Sequence, residues 1–148
     1  MARYLVVAHE TVTSPLLLEA VRGVRKRDAE AEFVLLVPAT PVRYLLFLKG
    51  DEHDAEATAR KRGGRARALF TKRGLPLSDV RVGTADPAEA IDREVAAHPG
   101  YAGFIISTLP AENSRWLRMD LPSTVRAKHK LPVHHVVAAR EFGLSDVP

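Results

Sequence analysis

Two dipeptides, Ser14-Pro15 and Asp86-Pro87, constrain the fold most. Ser and Asp side chains accept from the free N–H groups of a first helical turn, and proline suits the first helical position. Glu89, at the third helical position after Asp86, completes the second start signal. Each start follows a predicted strand. Tyr4 to Ala8 is an apolar run without alternation, as expected of a strand buried on both faces. Asp79 to Val82 is the shorter run before Gly83-Thr84-Ala85. Strands alternating with helices across short loops predict a parallel sheet with helices on both faces, joined by right-handed crossovers.

The remaining segments extend this pattern. Leu17, Ala20, Val21 and Val24 mark the inner face of the first helix, which ends on Arg25-Lys26-Arg27. Ala31 to Val37 is a second buried strand. Asp51 to Arg73 is a long helix with Ala55, Ala59, Ala66, Leu69 and Phe70 on one face. Gly63 sits at the edge of that stripe, where close packing would explain it, whereas Gly64 weakens the helix without evident purpose. Val42 to Lys49 is strongly apolar and reads as an extra helical turn or a lid. Phe104-Ile105-Ile106-Ser107-Thr108 is a strand that runs into a polar loop, followed by a basic helix and a closing strand through Val133 to Val137. A parallel sheet places its ligand at the carboxyl ends of its strands, so this last third marks where a site is expected.

The chain has 148 residues, 46% apolar and 27% charged, the range of one soluble domain. We expect a single domain over residues 1–140 and a tail over 141–148. The absence of cysteine excludes disulfides, thiolate chemistry and zinc–sulfur sites. The stretch before the first strand is too short for a signal peptide, and no apolar run reaches membrane-spanning length. A cytoplasmic location is expected. The formal charge of +4 is mild. Arg60, Lys61, Arg65, Arg67, Lys72 and Arg73 follow Glu52, Asp54 and Glu56 on the long helix, an acid-first, base-last order that complements its dipole. A nucleic-acid partner is not expected.

The run Gly83-Thr84-Ala85-Asp86-Pro87-Ala88-Glu89-Ala90-Ile91 and the closing Leu131-Pro132-Val133 before Val136-Val137 resemble the universal stress protein family. The order of elements agrees along nearly the whole chain, and Ser114 to Pro122 looks like a divergent, actinobacterial-type branch. The resemblance implies a three-layer α/β/α fold of about five parallel strands, like that of adenine-nucleotide α-hydrolases. It also implies dimerisation along the last strand and an adenine nucleotide, ATP or AMP, as the ligand class. Nucleotide-binding members carry Asp after the first strand, where this chain has His9. They wrap phosphates with a glycine loop after the fourth strand. Here Ser107-Thr108-Leu109-Pro110-Ala111-Glu112-Asn113 stands instead, and no glycine occurs between Gly103 and Gly143. Glycine lets backbone N–H groups approach a phosphate without a Cβ in the way, and Glu112 would repel one. ATP binding in the family's usual mode is not expected.

The candidate ligand residues are His9, Glu10, Val37, Thr40, Ser107, Thr108, Asn113, Ser114, Ser123 and Thr124. Most have a structural alternative. Asn113 or Ser114 would cap the helix that starts at Arg115. Ser123 and Thr124 lie in the first turn of the last helix, which Asp120 would cap and Pro122 would open. Arg115 and Arg118 either clamp an anion or lie on a solvated face, and Trp116 either stacks on a base or packs. His9 either bonds a ligand or has no chemical role. His134 and His135 should face opposite sides of the last strand. Neither a catalytic set nor a metal site is expected. The leading reading is a non-enzymatic stress-response sensor or adaptor that forms a homodimer; the alternative is an adenine-nucleotide-binding protein with at most weak phosphohydrolase activity.

Overall fold

A computed structural model of the chain describes residues 2–40, 52–110 and 114–138. Ten elements follow in order: β1 (Arg3–Val7), α1 (Pro15–Arg27), β2 (Glu32–Pro38), α2 (Glu52–Lys72), β3 (Asp79–Gly83), α3 (Pro87–Ala97), β4 (Gly103–Thr108), α4 (Arg115–Arg118), α5 (Leu121–His129) and β5 (Val133–Val137). The strands form one sheet in the order β3-β2-β1-β4-β5, and every pairing is parallel. The three-layer α/β/α expectation is met. The Val42 to Lys49 segment, Asn113 and the tail lie outside the described residues.

Two helix starts form as their residues dictate. Ser14 accepts from the Leu16 N–H at 3.3 Å and Asp86 from the Ala88 N–H at 3.0 Å, each with proline in the first turn. Alternate residues of the central strands then feed opposite layers. Val6, Phe33, Leu35 and Val37 join Leu17, Val21 and Phe70 under α1 and α2. Leu5, Val7, Leu36, Phe104 and Ile106 join Ile91, Trp116, Leu121 and Val125 under α3, α4 and α5.

Two glycines set the spacing between layers. A Cβ on Gly63 would lie 2.7 Å from Val80 Cγ1, so α2 sits directly on β3. A Cβ on Gly83 would lie 2.7 Å from Ala90 Cβ, which brings α3 against the end of the same strand. Gly64, the next residue on α2, faces open space. On the same strand, Arg81 pairs with buried Glu94 of α3, which accepts from Tyr101 Oη at 2.6 Å. Burial, then the bond to Glu94, pushes the Tyr101 phenol above its usual range.

One helix start differs from expectation. Asp120 does not cap α5 with its side chain; it adopts φ +51° in the left-handed region. Its carbonyl accepts from the Thr124 N–H at 3.0 Å. The chain must turn sharply between Arg118, the end of α4, and Leu121, the start of α5. Aspartate tolerates that left-handed corner better than most residues, and the corner removes its carboxylate from the capping position.

Candidate functional site

The sheet order reverses at β1, with β2 and β3 on one side and β4 and β5 on the other. The crevice of such a sheet opens beyond the carboxyl ends of the two strands at the reversal, here β1 and β4. Val7 pairs with Ile106, so Ser107 and Thr108 carry β4 past the last paired residue of β1.

Both hydroxyls are buried and turn to protein partners. Ser107 Oγ lies 2.6 Å from Thr11 Oγ1, in the turn after β1. Thr108 Oγ1 lies 2.8 Å from His135 Nε2 on β5. A polar group inside a sheet buried on both faces requires such a partner. His135 turns inward and His134 is exposed, as expected of successive strand residues. Burial, with Arg126 and His134 nearby, lowers the His135 pKa.

His9 is only 5% exposed. Its Nδ1 is 2.7 Å from Arg62 Nη1 of α2. A guanidinium only donates, so Nδ1 is the acceptor and the neutral ring carries its proton on Nε2. Burial, then the Arg62 charge, lowers the His9 pKa to about 3. His9 is therefore a hydrogen-bond donor at neutral pH and has no free lone pair with which to act as a base. Its Nε2 is buried and has no hydrogen-bond partner. A buried, unsatisfied donor costs roughly 1–3 kcal/mol.

The other predicted residues divide by location. Glu10 is partly exposed in the turn after His9 and has an interaction of its own. Val37 does not offer its side chain to a ligand: it is fully buried in the core, 3.8 Å from where a Gly63 Cβ would stand. Residue parity along β2 sends it inward. Thr40 donates to the Ala85 carbonyl at 2.7 Å and so ties the exit of β2 to the exit of β3. Ser114 is the cap of α4 and accepts from the Leu117 N–H at 3.1 Å. Ser123 and Thr124 are exposed on the first turn of α5, as are Arg115 and Arg118 on α4. Trp116 is buried in the core. Asn113 lies outside the described residues.

The structure thus brings His9 and Ser107 to one edge and adds Thr11 and Arg62, which sequence reasoning did not single out. Thr11 sat in an undistinguished loop, and Arg62 was one base among many on α2. Among the described residues no group of three or more His, Asp or Glu side chains could hold a metal ion, and no helix is long and apolar enough to cross a membrane.

No protein-family profile matches the sequence, and no curated protein matches it. Solved structures do match in fold. A universal stress protein family protein from Burkholderia pseudomallei superposes with a TM-score of 0.60 at 17% identity, covering 93% of this chain and 96% of that one. The hypothetical protein MJ0577 gives 0.59 at 16% identity, covering 95% and 98%. A universal stress protein family protein from Arabidopsis thaliana with AMP bound gives 0.55 at 12% identity, covering 100% and 96%. The chain has the fold of the universal stress proteins, the family its motifs resemble.

Proposed function

We propose that this chain is a cytoplasmic stress-response sensor or adaptor domain of the universal stress protein type, a homodimer through β5, that does not seat ATP as glycine-loop relatives do. The observation that carries this reading is the inward bonding of Ser107 to Thr11 and of Thr108 to His135. Hydroxyls engaged in this way must break buried bonds to meet a phosphate chain. The lack of glycine between Gly103 and Gly143 removes the alternative, a close backbone approach. Calorimetry with ATP tests the reading: no heat beyond dilution is expected, and stoichiometric ATP binding overturns it.

A second reading is an adenine-nucleotide-binding protein that takes AMP. Two observations favour it: the AMP-bound Arabidopsis protein of the same fold, and the unpartnered N–H of His9 at the strand edge. Mass spectrometry of small molecules released from freshly purified protein decides between the two. A retained adenine nucleotide selects the second.

A further inference from the structure

We propose that the end of β1 is the recognition element for a small oxyanion, a carboxylate or a phosphate monoester, held by the His9 Nε2–H and the Arg62 guanidinium. The proposal rests on reading the carboxyl edge as a ligand site, and it names the ligand chemistry that edge selects.

The argument is a count of donors against acceptors. The bond from Arg62 occupies the single lone pair of the His9 ring, at Nδ1, and leaves Nε2–H buried with no partner. Arg62 itself has five N–H donors, and one of them is spent on His9.

These groups come from separate elements: the turn after β1 and the body of α2. Together they offer N–H protons beside one positive charge. A ligand amino group finds no acceptor in the His9–Arg62 pair, whereas an oxyanion meets both a neutral donor and a guanidinium that can bind two oxygens at once. Because His9 is neutral beside Arg62, the pair carries a single charge and matches one anionic group rather than a chain of phosphates.

The test uses the full chain labelled with 15N, with the His9 Nε2–H and the Ser107 and Thr108 amides observed by NMR. Sodium acetate, inorganic phosphate, AMP and adenosine are titrated separately at constant ionic strength. The expected result is a saturable shift of the His9 Nε2–H with acetate, phosphate or AMP and none with adenosine. Saturation by acetate at the lower concentration identifies a carboxylate ligand; saturation by phosphate or AMP identifies a phosphate monoester. Arg62→Gln should weaken that binding about tenfold or more. Should it fail to fold, Arg62→Lys, which keeps the charge and loses the planar fork, should weaken binding to a lesser degree.

The proposal is overturned if no anion moves His9, if adenosine moves it as far as AMP does, or if the Arg62 variants bind as tightly as the parent chain. If AMP or adenosine shifts Ser107 and Thr108 but not His9, the ligand edge stands and the oxyanion assignment falls. If no compound shifts any of the three residues, the ligand edge falls with it.

Discussion

Thr11 Oγ1 and Ser107 Oγ lie 2.6 Å apart, both buried, and they join the turn after β1 to the end of β4. Removing one partner strands the other without water, whereas replacing both leaves a small apolar contact. Thr11→Val or Ser107→Ala alone should therefore cost about 1–2 kcal/mol of unfolding free energy. The double variant should cost less than the sum of the two, and a urea-denaturation cycle measures the difference. Strict additivity would show that the hydroxyls do not depend on each other.

His9 predicts a pH dependence with a definite sign. Its pKa falls from 6.5 to about 3 on folding, first through burial and then through the Arg62 charge. The unfolded chain binds the proton more readily, so the stabilisation is fully present above pH 6.5 and is lost as pH falls toward about 3. The loss at the acid end is on the order of 4 kcal/mol. In His9→Gln that part of the slope should vanish while carboxylate titration remains. Denaturation midpoints of parent and variant between pH 7 and pH 4 (about the working span of this linkage) check it. Parallel curves would rule out a buried, neutral imidazole.

Local signals in the sequence were reliable, and long-range ones were not. Ser14-Pro15, Asp86-Pro87 and the tight packing of Gly63 act within one turn or one helix face, so their chemistry can be read from neighbouring residues. Asp120 was misread because its left-handed corner is imposed by how α4 meets α5, not by its own neighbours. At the candidate site, Thr11 reaches Ser107 across 96 residues and Arg62 reaches His9 across 53. Nothing in the spacing of those residues announces either pair. For Val37, parity along the strand places its side chain in the core under α1 and α2.

The adjacent glycines of α2 should respond to alanine with opposite signs. At Gly63 the new methyl lies 2.7 Å from Val80 Cγ1, on a stiff β-branched residue that cannot swing away. Overpacking of this kind costs about 1–3 kcal/mol, more than the helix propensity gained. At Gly64 nothing stands within 4 Å, so alanine should stabilise by up to about 1 kcal/mol. Gly83→Ala should also destabilise, because Ala90 Cβ would be 2.7 Å away and Ala90 Cα 3.6 Å. Thermal denaturation of the three variants separates the cases, and a stabilising Gly63→Ala would mean that α2 rides higher on the sheet than described.

The assembly proposed through β5 has its own consequence. β5 is the last strand of the sheet and pairs only with β4 among the described residues. Val137 is 47% exposed on it, and His134 is exposed as well. An open strand edge favours pairing with a second strand, and a lysine there opposes it by charge and by the loss of apolar cover. Light scattering on the parent chain should give twice the 16.3 kDa chain mass. Val137→Lys should raise the dimer dissociation constant by about tenfold or more while the far-ultraviolet spectrum stays unchanged. If the parent chain is a monomer at high concentration, the homodimer is wrong. If Val137→Lys dimerises as tightly as the parent, the seam lies elsewhere on the molecule, because two like charges brought together across a shared strand edge oppose association.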